Sequence, residues 1–94
     1  MSDEMIDLVL SSGVLSFDGR VFERFGFGFG ESTRVHASEI EEIVLVRKRV
    51  VGTLLEVKAR GASGMTISPD VDDAEYARLE TFVANVRSTL GGAR

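Results

Sequence analysis

Apolar positions between residues 6 and 67 fall in short runs rich in Val, Ile, Leu, Phe and Thr, separated by Gly, Ser and Asp. That pattern predicts successive β-strands. The runs are 6–10, 14–17, 20–27, 32–36, 42–49, 53–60 and 65–67. Asp18-Gly19, between the second and third runs, is a strong hairpin signal. Val51-Gly52 turns the fifth run into the sixth, and Gly61-Ala62-Ser63-Gly64 leads to the last. The first run has a second reading, because Asp3 can equally cap a short helix.

After residue 70 the period changes. Tyr76, Leu79, Phe82, Val83, Val86 and Leu90 recur at spacings of three and four, which is one apolar stripe on a helix over about 72–90. Asp72 with Glu75 reads as an acidic capping box. Asp70, Asp72, Asp73 and Glu75 lie near the helix start, where the dipole favours negative charge. Pro69 precedes the helix and Gly91-Gly92 is expected to stop it. The other face carries Arg78, Glu80, Thr81, Asn85 and Arg87, so the helix is one-sided and must pack on the sheet. A coiled coil is a weaker reading, since the seam is short.

The fold class expected is mainly β (α+β): about seven antiparallel strands in a small bent barrel or sandwich, capped by one C-terminal amphipathic helix. The chain resembles bacterial pleckstrin-homology-like (PH-like) domains over roughly residues 6–90. Two stretches carry the likeness. One is the Gly-strand-Asp-Gly hairpin, Gly13-Val-Leu-Ser-Phe-Asp18-Gly19-Arg20-Val21. The other is the strand, polar corner and Ile-x-x-Ile step of Arg34-Val-His-Ala-Ser-Glu-Ile40-Glu-Glu-Ile43. The resemblance implies a bent barrel with the C-terminal helix plugging one open end. Phosphoinositide-binding members concentrate Lys and Arg around the loop between the first two strands. Here that loop is Ser11-Ser12-Gly13, with no basic residue.

The 94 residues predict a single domain over 1–94. The absence of cysteine excludes a disulfide framework, a thiol nucleophile and a Cys-ligated metal. The start, Met1-Ser-Asp-Glu-Met-Ile-Asp7, is acidic rather than basic, and no run approaches a membrane span, so the expected location is cytoplasmic.

Candidate chemistry is sparse. His36 is the only general base near neutral pH, and it lies on a strand where a solvated position is the expected one. The carboxylates at 70–75 lack a calcium-loop frame and are expected to cap the helix. In Phe25-Gly-Phe-Gly-Phe-Gly30 no helix pattern follows the glycines, so a phosphate loop is not expected. On the strand period Phe25, Phe27 and Phe29 share one face. They are expected either to fill the core while the glycines bend the sheet, or to leave at least one ring exposed on a mobile loop as an anchor for a partner, with Phe27 and Phe29 as the candidates.

Charge is uneven. The net charge is −4, yet residues 47–60 hold Arg47, Lys48, Arg49, Lys58 and Arg60 against Glu56 alone, a net of +4 that leaves −8 on the other 80 residues. A two-residue turn at Val51-Gly52 sets residue 46 opposite 57. It points Val44, Val46, Leu55, Val57 and Ala59 inward, and Ile43, Leu45, Arg47, Arg49, Leu54, Glu56, Lys58 and Arg60 outward, with Arg47 opposite Glu56. Ile43-Val-Leu-Val46 is apolar on both faces, and such strands are usually covered on both sides. The expected function is a non-catalytic binding or assembly module acting through protein–protein contacts, chiefly self-association. Its candidate contacts are Ile43, Leu45, Arg47, Arg49, Leu54, Lys58, Arg60, Phe27 and Phe29. The alternative is peripheral binding of anionic lipid, or less readily nucleic acid, through the basic hairpin. No catalytic residue, metal ligand, cofactor or small-molecule substrate is expected.

Overall fold

Alternation of inward apolar and outward polar side chains organises most of the chain into two antiparallel sheets. A computed structural model describes residues 6–27, 32–48, 52–61 and 64–92. The strands are β1 (Ile6–Leu10), β2 (Gly13–Phe17), β3 (Val21–Gly26), β4 (Thr33–His36), β5 (Ile40–Lys48), β6 (Gly52–Ala59) and β7 (Met65–Ile67). A short 3-10 turn, Ala37–Glu39, joins β4 to β5, and the helix α1 runs Asp73–Gly92. The first sheet has the order β1-β2-β3-β4 and the second β5-β6-β7. The ladders do not close into a barrel. The first run is therefore a strand rather than a capped helix. The helix passes through Gly91 and Gly92 instead of stopping before them.

The core lies between the sheets under α1. Leu8, Leu10, Leu15, Phe17, Phe22 and Val35 point in from the first sheet. Ile43, Leu55, Val57, Met65 and Ile67 point in from the second, and Leu79, Phe82, Val83 and Val86 from the helix. Phe82 meets Phe22 edge to face, with centroids 6.0 Å apart and planes at 63°, a geometry that suits the ring quadrupoles. Arg24 is a buried cation on the same inward face as Phe22.

The helix is held at both ends. The capping box is reciprocal: Glu75 N–H donates to Asp72 Oδ1 at 2.8 Å and Asp72 N–H to Glu75 Oε1 at 3.4 Å, satisfying two donors a helix start leaves open. Glu75 also accepts the Ser11 N–H at 2.9 Å, which ties the β1–β2 turn to α1. Towards the other end, Arg87 donates from Nε and Nη2 to the Ile43 carbonyl, at 3.0 and 2.6 Å. α1 thus lies against β1 and β5, one edge strand from each sheet.

Two hairpins set the faces. In β2–β3, Gly19 takes φ +90° and Asp18 Oδ1 accepts the N–H groups of Arg20 and Val21, both at 2.8 Å. In β5–β6 the pairs are Lys48↔Gly52, Val46↔Leu54, Leu45↔Leu55 and Ile43↔Val57. Three residues, not two, separate the innermost pair. The register therefore differs by three from the one expected, and an odd shift turns one strand over relative to the other. Ile43 and Leu45 face the core, and Val44, Val46, Leu54, Glu56 and Lys58 face outward.

Candidate interaction surface

The odd shift redistributes the expected contact residues. Ile43 is 2% exposed and Leu45 packs against the core, so neither is a surface contact. Arg47 stands opposite Thr53 rather than Glu56. Its Nη2 reaches Asp73 at 2.7 Å and its guanidinium lies 4.6 Å from the Tyr76 ring centroid, so it helps to hold the helix start. Lys58 is exposed, 3.8 Å from Glu42. Leu54 is half-buried on the outer face beside Val44 and Val46. Arg60 is exposed just after β6, and its N–H donates to the Glu39 carbonyl at 3.0 Å. Arg49 and Phe29 lie outside the described residues. Among the described side chains, Arg47 and Lys58 thus each face a carboxylate of this chain and lie on opposite faces of the hairpin.

The Phe-Gly segment departs from alternation too. Phe25 projects outward at 45% exposure, whereas Phe27 is half-buried and packs on the core. The two do not share a face because Phe27 leaves the strand with φ +58° and donates its N–H to the Ser12 carbonyl at 2.8 Å. Its ring is seated against Gly13. A Cβ at that position would stand 2.6 Å from the ring and 2.5 Å from the Phe25 carbonyl oxygen. Glycine is required there for close approach, not for its φ.

The outward face of the first sheet carries the surface that sequence reasoning missed. Val9 pairs with Val14, and Val14 with Phe25. One row across three strands is therefore Val9, Val14, Phe25, with Val9 62% exposed, Phe25 45% and Val14 half-buried. Two residues along lies a polar row: Asp7 opposite Ser16, Ser16 opposite Glu23, and Glu23 opposite Arg34. Arg34 Nε donates to Glu23 Oε2 at 2.8 Å. That bond, and then the charge of the carboxylate, raise the Arg34 pKa above its ordinary value. The signal for the apolar row was present in Leu8-Val9-Leu10, a strand apolar on both faces.

A cleft of about 340 Å³ opens between the β2–β3 turn, the 3-10 turn and the far end of α1, lined among others by Ser38, Ile40, Arg60 and Leu90. Its lining provides the hydroxyls of Ser38 and Thr89 and the Arg60 guanidinium. His36 is exposed on β4. No described helix is long and apolar enough to cross a membrane. No family model, curated protein or solved structure matches the chain.

Proposed function

We propose that the chain is a non-catalytic binding and assembly module that works through protein–protein contacts, with self-association as the leading case. The observation that carries the reading is the exposed Val9–Val14–Phe25 row. Fully burying a Val or Phe side chain is worth about 1.5–3 kcal/mol. Leaving Val9 and Phe25 about half exposed on either side of Val14 keeps part of that driving force on the surface. Contiguous exposed apolar side chains favour an interaction surface more than scattered ones do.

The finer fold reading supports the same view. Four strands, then three, then a helix lying across β1 and β5 is the order expected of a PH-like bent barrel. The β1–β2 turn holds Ser11 and Ser12, and Ser11 is engaged with Glu75, so the position where PH-like lipid binders gather cations offers none.

Sedimentation over a dilution series, at low and moderate salt, tests the reading. The expected result is an oligomer that persists at moderate salt, lost on Phe25→Glu and kept on Leu54→Glu. A strictly monomeric chain would overturn it. Binding to anionic vesicles or DNA that collapses at moderate salt would shift the function to the basic hairpin.

A further inference from the structure

Resting on the reading just given, we infer that the occupant of the outer β1–β4 face is a second copy of this chain, packed face to face about a two-fold axis parallel to the strands between β2 and β3. The argument begins from register. Two rows of outward side chains lie about 7 Å apart, the rise of two residues: Val9, Val14, Phe25 and Asp7, Ser16, Glu23, Arg34, with Val21 and His36 in a further row beyond the second. A two-fold axis running along the strands keeps each row on its own row but reverses the strand order. β1 of one copy then lies over β4 of the other, and β2 over β3.

The consequences can be followed residue by residue. In the apolar row, Val14 lies over the second copy's Phe25, and Phe25 over its Val14. In the polar row, Asp7 lies over the second copy's Arg34, and Ser16 over its Glu23. Each contact occurs twice, as an isologous interface requires. The outermost charges, Asp7 and Arg34, are opposite in sign and sit about 14 Å apart across four strands, and the reversal brings each onto its complement. Glu23 meets a hydroxyl rather than a carboxylate. The face therefore presents no like-charge contact to its own copy along these rows. An axis perpendicular to the strands and midway between the rows does not have this property, because it sets the apolar row against the polar one. Sheets also stack face to face in this manner at about 10 Å separation.

Charge reversal in the full-length chain tests the geometry. Asp7→Arg alone, or Arg34→Asp alone, places like charges at both outer contacts, and each is expected to weaken the dimer at least ten-fold in sedimentation equilibrium. An equimolar mixture of the two variants restores opposite charges at both contacts and is expected to recover a heterodimer within about three-fold of wild type. Far-ultraviolet circular dichroism establishes that each variant is folded. Phe25→Glu is expected to give a monomer at about 1 mM. A wild-type monomer at that concentration overturns both this inference and the reading it rests on. A wild-type dimer lost on Phe25→Glu, but with the charge variants unaffected or not rescued by mixing, overturns this geometry alone. In that case the face is occupied in another arrangement.

Discussion

The hairpins β2–β3 and β5–β6 are built from similar material and ended up differently readable. In the first, Asp18-Gly19 marks the turn, and its centre falls one residue further on, at Gly19-Arg20. Moving a turn's centre by one residue shifts the register by two, and every inward side chain stays inward. In the second, the expected two-residue turn gives way to three intervening residues. That odd shift exchanges inside and outside for a whole strand. A small error in loop length was harmless in one place. In the other it moved Ile43 from a contact candidate to the core and Val44 from the core to the surface. Apolar content alone could not arbitrate, because residues 43–46 are apolar on both faces.

The comparison can be broken most sharply at that strand. Ile43→Ala is expected to cost about 2–4 kcal/mol of stability through loss of buried contacts, and Val44→Ala less than about 1 kcal/mol. Equal costs in urea unfolding would refute the register. The next contrast belongs to the first hairpin. Gly13→Ala forces a Cβ against the Phe27 ring and the Phe25 carbonyl and is expected to cost about 1–3 kcal/mol. Gly19→Ala meets no neighbour and carries only its positive φ, about 1 kcal/mol; thermal unfolding of the pair separates steric from conformational cost. Smaller still is Arg47→Gln. It loses an exposed ion pair and a ring contact, together under about 1 kcal/mol, yet it should raise amide exchange in the first turn of α1 more than in β5. The smallest effect is a pH dependence. The backbone N–H groups of Val21 and Arg20 hold the Asp18 carboxyl below the usual aspartate range. The folded value lies below the unfolded one, so the stabilisation is full above the unfolded value and fades as pH falls through the folded one. Asp18→Asn should flatten that part of the stability–pH curve, and an unchanged acid limb would remove Asp18 as its source.

Much of the fold was legible because its signals are local. Strand runs, the Asp72–Glu75 box and the 76–90 stripe depend on neighbours in sequence, and the elements appear within a few residues of where the pattern puts them. The surface was less legible because it depends on pairing. Val9, Val14 and Phe25 are far apart in sequence and meet only when β1, β2 and β3 adopt one register. Phe27 packs on the core, as one of its two readings has it, but shares no face with Phe25, because one residue at positive φ ends the alternation. Arg47 reads as free charge in sequence because its partners, Asp73 and Tyr76, lie on the helix. Expected features that stay open, such as Phe29 and Arg49, fall outside the described residues.

The fork from Arg87 to the Ile43 carbonyl has a consequence in time. α1 is synthesised after all seven strands, so the sheets exist as nascent chain before their cover does. At translation rates of about 5–20 residues per second, the stretch from β7 to Leu90 takes on the order of seconds. Through that interval Phe22 lacks Phe82, and β5 offers a bare edge to any neighbouring strand. Docking of α1, with Arg87 on the Ile43 carbonyl, covers part of that edge last.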